Sequence, residues 1–324
     1  MAKPSWLKNL LRPTIALLFI YFLIQKGPFR LDQITFILGQ SKILLLGLAL
    51  VLFQFSITAL RWKKIVELKK RITLFQALTL TLIGQFFSFF IPGGVGGDVV
   101  KALELSKTHE ISRSEGLATV LADRILGLFS MVLFSTVFLG LDYAQGHSSN
   151  TLKYFIFSAV LLILMVLGLT IGPKIIEFIS TQLGQQKNKL LLFFEKLMGS
   201  FSLTFTCFQS PRALLTTVAL SLIVQLISSL FMMEIIRTLG VPLPSFFVFF
   251  SLSCFGFLAS AIPITPAGIG VGQAAFYFLF ALINPELGNA AVTAVSILQL
   301  FFLFFALLGG VLFAMKPLLK FNKR

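Results

Sequence analysis

Five ionisable side chains stand among residues that are otherwise mostly apolar or glycine: Arg61, Asp98, Lys101, Asp123 and Arg124. Three bases and two acids brought together could bind an anion such as a phosphate, and the acids could carry a proton. Asp98 follows the loop Pro92-Gly93-Gly94-Val95-Gly96-Gly97, where one apolar run stops and a helical pattern opens. Glycines there allow positive φ angles and close backbone approach. Successive amides leading into a helix N-terminus form an anion nest, although Asp98 would repel the anion unless a cation lies beside it. The plainer reading is a tight turn between two helices, with Asp98 as N-cap.

Arg124 is the candidate cation. It lies about ten residues into a helix starting near Ser114, hence ~15 Å deep and near the middle of a ~30 Å hydrocarbon core. A buried charge costs at least ~2.5–3.5 kcal/mol on the insertion scale, so Asp123 and Arg124 must face partners or a wet cavity. Adjacent helical residues diverge by about 100°, so the two need not pair with each other. Either Arg124 ties its helix to the glycine loop through Asp98, or the group is a headgroup or proton site. Arg61, at the end of an apolar run, can snorkel to the interface. Lys101 and Glu104, three residues apart, read as a surface pair.

A second run, Ala261-Ile262-Pro263-Ile264-Thr265-Pro266-Ala267-Gly268-Ile269-Gly270-Val271-Gly272-Gln273, repeats the pattern of Ile-Pro, glycines, one polar residue and a new helix. Gln85 and Gln273 are polar groups within these legs, able to bond a substrate or to satisfy interrupted backbone. Broken hydrophobic segments at corresponding places in two halves of a membrane protein point to a transport site. The candidate substrate contacts are therefore Arg61, Gln85, Gly93, Gly94, Gly96, Gly97, Asp98, Lys101, Asp123, Arg124, Pro263, Pro266, Gly268, Gly270 and Gln273.

What must position these residues is a bilayer. Hydrophobic residues make up 57% of the chain, against roughly 45–50% in ordinary globular proteins. Several runs approach the ~18 apolar residues of a membrane span. The +15 net charge sits between the apolar runs, where Lys and Arg set topology and touch anionic headgroups. That placement argues against nucleic acid as a partner. Cys207 and Cys254 lie in apolar context and suggest no disulfide framework, and His109 and His147 lack metal-ligand spacing. The sequence has no Gly-x-x-x-x-Gly-Lys-Ser/Thr loop, His-Glu-x-x-His or Gly-x-Ser-x-Gly, so neither ATP-driven pumping nor a cofactor or metal is expected.

In chain order the spans are expected at 10–25 (an uncleaved first span rather than a signal peptide), 43–60, 114–140, 152–172, 213–236 and 289–315. The basic link after the second span places Trp62 as an interfacial anchor. The leg 98–108 carries too much charge to cross lipid, so 73–111 is expected as a re-entrant hairpin, with a counterpart at 245–283. The more polar stretch 173–212 suits a helix lying in the headgroup layer. The expected fold is thus a single all-α polytopic domain over 1–324, with about six full transmembrane helices and two re-entrant hairpins. Its two repeats, 43–172 and 213–315, are inverted and both termini are cytoplasmic. Most Lys and Arg then face the cytoplasm; only Lys26, Arg30, Lys42, Lys153 and Arg237 lie outside.

Four pieces together resemble the membrane domain of the lysylphosphatidylglycerol synthase/flippase family. They are Arg61-Trp62, Phe90-Ile91-Pro92-Gly93-Gly94-Val95-Gly96-Gly97-Asp98-Val99-Val100-Lys101, Asp123-Arg124-Ile125-Leu126-Gly127 and Ile262 to Gly272. The resemblance implies a lipid-translocating domain, which in the synthase moves an aminoacylated phospholipid between leaflets. The sequence ends at Arg324 with no aminoacyl-transferase portion, so this chain is expected not to be an enzyme. Gln273 stands where the late motif of the family often has an acid. The function expected is a lipid flippase in the cell (cytoplasmic) membrane that is not ATP-driven. Its partners would be membrane phospholipids, with a homo-oligomer or a separate lipid-modifying enzyme left open. The alternatives are a non-transporting scaffold and a membrane-embedded lipid-modifying enzyme using Asp98 and Asp123 as acid and base.

Overall fold

The computed structural model describes residues 31–91, 95–109, 111–146, 151–182 and 211–315. The expected span at 10–25, the glycines Gly93 and Gly94, and the linker beyond Gln182 up to Ser210 lie outside the described residues. Among the described residues all regular structure is helical. The elements are α1 (Leu31–Leu38), α2 (Ser41–Val66), α3 (Leu74–Phe90), α4 (Gly96–His109), α5 (Arg113–Ala144) and α6 (Thr151–Gln182). After the linker come α7 (Pro211–Thr238), α8 (Phe246–Ser260), a 3-10 turn (Pro266–Gly268), α9 (Val271–Ala281) and α10 (Pro285–Met315).

Five of these are long and apolar enough to cross a membrane: α2, α5, the Thr151–Ile171 part of α6, α7 and α10. The chain is an all-α polytopic membrane protein, with these helices at the expected span positions. The helices α3 and α8 are shorter, about 25 and about 22 Å, against a hydrocarbon core of ~30 Å.

Local signals set the boundaries. Thr73 and Ser112 each begin a helix with a capping box, Thr73 with Gln76 and Ser112 with Glu115. Reciprocal bonds of this kind satisfy two otherwise orphaned N–H groups. Ser112→Ala is expected to lower stability by about 1 kcal/mol, read as a lowered thermal midpoint in detergent; an unchanged midpoint would mean that the cap contributes nothing. At the base of the first hairpin, His109 Nε2 lies 3.3 Å from Gln76 Oε1, so the end of α4 meets the start of α3.

The two halves interlock. The leg α3 packs on α10, α8 packs on α5, and α2 packs on α7. Each short leg therefore rests against the long helix that follows the other hairpin. Glycine permits the closest of these approaches: a Cβ at Gly309 on α10 would stand 2.1 Å from the carbonyl oxygen of Leu82 on α3. The helix α6 packs chiefly on α5 and leaves Ile156, Phe157, Ile163 and Leu164 exposed, as suits a helix surrounded by lipid tails.

Two local expectations need correction. Trp62 is no interfacial anchor; it is fully buried with Ala59, Leu80, Ala102 and Leu105. The reason is that α2 continues to Val66 and α4 folds back over that last turn. Lys101 and Glu104 are not a surface pair either, since both are buried and Glu104 pairs with Lys107 at 2.8 Å. From the last turn of α2, Lys63 and Lys64 converge on the cap residue Glu67. The hydrogen bond from Lys63, ahead of the charge of both lysines, holds that carboxyl below its ordinary range.

Candidate functional site

Asp123 and Arg124 are neighbours on α5, so helical geometry points them at different partners. Asp123 accepts two bonds from Arg61 on α2, from Nε at 2.8 Å and Nη2 at 3.1 Å. This bidentate geometry is the strong form of the arginine–carboxylate contact. Arg61 also donates from Nη1 to Ser221 Oγ on α7, at 2.9 Å, so one guanidinium joins three long helices. It does not snorkel outward: the side chains of Arg61 and Asp123 are only 11% and 10% exposed. Gly127, one turn beyond Asp123, leaves room for it; a Cβ there would stand 3.3 Å from Arg61 Nη1.

Arg124 pairs instead with Asp98 in the first turn of α4. One turn further along α4, Lys101 lies over the ring of Trp62, 3.9 Å from its centroid. A cation over an indole face is attracted by the ring quadrupole. Among the described residues no carboxylate lies within ion-pair distance of Lys101. Its charged neighbours are Asp123, Asp98, Arg61 and Arg124. The five residues thus form one cluster with an excess positive charge.

The first hairpin closes at glycine. A Cβ on Gly97 would lie 2.0 Å from the Gly84 carbonyl oxygen and 2.1 Å from Ser88 Oγ, and one on Gly96 would meet the Ile91 side chain at 2.4 Å. The second hairpin turns through positive φ at Ala267 (48°), Gly268 (72°) and Gly270 (87°). Gln273 secures that turn: its Oε1 accepts the Gly270 N–H at 2.7 Å, while Nε2 donates to Gln299 at 2.6 Å and Ser296 at 3.3 Å. It satisfies interrupted backbone, one of the two roles expected for it. The pairs Asp98–Arg124 and Gln273–Gln299 have the same 26-residue separation. Each links the first turn of a hairpin's second leg to the long helix that follows.

A cavity of about 380 Å³ lies between the hairpins. Arg61, Asp123 and Arg124 line one wall, Gln85 and Ser88 come from α3, and Ser260, Pro263, Thr265 and Gly268 come from the second hairpin. Gln54 and Thr58 on α2 and Gln225 and Ser228 on α7 complete the polar lining. Asp98 and Lys101 stand behind the Arg124 wall rather than on the cavity surface, and Gln273, Pro266, Gly270, Gly96 and Gly97 shape the hairpins without lining it. Sequence reading missed Gln54, Gln225, Ser221 and Thr265. The two glutamines left a usable signal, because each is a lone amide inside an apolar run, and polar groups in spans face the interior of a bundle. Among the described residues no cluster of His, Cys, Asp and Glu could hold a metal ion.

Comparison with known proteins agrees with a membrane protein. Residues 9–317 match the family model described as the lysylphosphatidylglycerol synthase TM region. The chain is also 25% identical over 231 residues to the UPF0104 membrane protein MJ1078 of Methanocaldococcus jannaschii, covering 71% of this chain and 93% of that protein. No solved structure matches it. The chain therefore belongs to the family of the lysylphosphatidylglycerol synthase transmembrane region, as a multi-pass, all-α membrane protein.

Proposed function

We propose that this protein moves a phospholipid or lipid-linked headgroup between the leaflets of the cell membrane without ATP. The observation that carries this reading is the polar cavity walled by both hairpins and by two arginines on long helices. In the proposed arrangement the hairpins are re-entrant from opposite faces, the two halves are inverted repeats, and both termini are cytoplasmic. The equal spacing of the Asp98–Arg124 and Gln273–Gln299 pairs supports that equivalence. So does the reciprocal packing of α3 on α10 and α8 on α5.

Arg61 and Arg124 hold the phosphate, Asp123 and Asp98 fix their directions, and Lys101 adds positive charge from behind. Placing these ions together before the ligand arrives reduces the cost of bringing a charged headgroup through the hydrocarbon. Because each short leg rests on the other half, rocking one half against the other would open the cavity to alternate sides.

The test is leaflet translocation of fluorescent phospholipids in vesicles reconstituted with the full chain. Vesicles containing the protein should translocate lipid faster than protein-free ones, and Arg124→Ala should fall to the protein-free rate. No acceleration by the wild type would end the transport reading; an active Arg124→Ala would remove the site assignment.

A further inference from the structure

We propose that the anionic headgroup held by Arg61 and Arg124 crosses together with a proton, carried on Lys101. This coupling rests on the transport reading of the same cavity and names its driving force. In the charged cluster each arginine has its own carboxylate: Arg61 pairs with Asp123 and Arg124 with Asp98. Lys101 is the odd charge. It is only 6% exposed, and among the described residues no carboxylate stands within ion-pair distance of it. Its amine rests on the Trp62 ring instead, 3.9 Å from the centroid. Gly84 on α3 makes room for the stem, since a Cβ there would stand 3.3 Å from Lys101 Cβ and 3.5 Å from its Cδ. The fold thus builds a seat for this side chain without giving it a counter-ion.

The charged groups acting on Lys101 are Asp123 and Arg124 from α5, Asp98 from its own helix and Arg61 from α2. Their charges cancel. The leg α3, packed alongside, has no titratable residue, and Glu104, one turn further along α4, is engaged by Lys107. An ammonium buried in that company has nothing to balance it, and giving up the proton removes the cost of desolvating the charge. A phosphodiester between Arg61 and Arg124 would supply the missing negative charge and favour the ammonium again. By linkage, anion and proton then bind more tightly together than apart. The proton is taken from water on the side where the headgroup loads and returned to water where it unloads. A single negative charge and a single proton cross together, so the cycle is electroneutral and runs on a pH difference. Arginine could not fill this role, because its guanidinium keeps its proton.

The test uses fluorescent phosphatidylmethanol, a phosphodiester lipid whose single charge does not change near neutral pH. Exposed lysines release their proton near pH ~10.4 and buried ones well below it, so binding to the full chain in detergent is compared at about pH 6.5 and about pH 9. The wild type should bind about tenfold more tightly at the lower pH. Lys101→Arg keeps the charge and should bind tightly at both values, whereas Lys101→Met removes it and should bind weakly at both. A lysine that only packed would not give those opposite, pH-independent levels. Thermal midpoints report whether each variant is folded, and if the arginine variant is not, the wild type and Lys101→Met still decide. Equal wild-type binding at both values, or an unchanged pH dependence in Lys101→Met, would overturn the proposal. In phosphatidylcholine vesicles containing the wild type, the lipid should accumulate in the leaflet facing the alkaline side. A potassium diffusion potential alone should not move it; the opposite pattern would overturn the coupling. Binding that follows pH without any translocation would uphold the linkage and remove only the transport reading. Translocation with pH-independent binding would do the reverse.

Discussion

Asp123→Ala is expected to destabilise the folded protein by about 3–5 kcal/mol, the cost of leaving a buried charge without its partner. The side chains of Arg61 and Asp123 are about nine-tenths buried and share two hydrogen bonds, so water cannot readily replace the missing carboxylate. Arg61→Met should cost a similar amount through the stranded Asp123. The double variant Arg61→Met/Asp123→Leu should recover most of the loss, because apolar side chains of similar volume remove both desolvation penalties at once. A double-mutant cycle of unfolding in mixed micelles isolates the coupling. Single variants losing less than about 1 kcal/mol would show a pair that behaves like a surface salt bridge. The double variant also separates structure from function: it should fold and yet fail to move lipid.

Gly97→Ala is the second large effect. The added methyl would collide with the Gly84 carbonyl and with Ser88 Oγ and N, at 2.0, 2.1 and 2.9 Å. Two of those atoms are backbone, so no rotamer change relieves the clash and the legs of the first hairpin must part. Overpacking usually costs about 1–3 kcal/mol and sometimes more. The shift would also carry Asp98 away from Arg124. Gly168→Ala is the matched control, since nothing lies within 4 Å of its added Cβ, and in a helix the change to alanine is mildly favourable. Thermal unfolding of the two variants should diverge clearly; a Gly97→Ala protein as stable as Gly168→Ala would contradict the close crossing.

Much of this architecture is readable in one dimension because lipid imposes simple rules. Apolar runs of sufficient length marked α2, α5, α6, α7 and α10, and paired Ile-Pro-glycine breaks marked the two hairpins. The place of Arg124 well inside a long helix followed from counting residues, and its pairing with Asp98 was one of the two readings left open there. The partners of Arg61 did not, because Asp123 lies 62 residues away and Ser221 160 residues away, and no local pattern encodes such a meeting. Trp62 misled for a related reason: its place beside a basic cluster is what an interfacial residue also shows, and only the return of α4 buries it. Gln54 and Gln225 look unremarkable in isolated spans and gain meaning when α2 and α7 pack together. What a span contains is legible; which faces converge is decided by tertiary packing.

In the proposed function both hairpins line a single polar path within the membrane. Single cysteines at Ser88 and Ser260, in a background lacking Cys207 and Cys254, test it most directly with a membrane-impermeant thiol reagent. A cysteine at Gly146, in the exposed turn after α5, reports that the reagent works. Both cavity cysteines should react, and added phospholipid should slow both. Inert cysteines at both positions beside a reactive Gly146→Cys control would mean that the hairpins meet in dry packing, with no polar path between them.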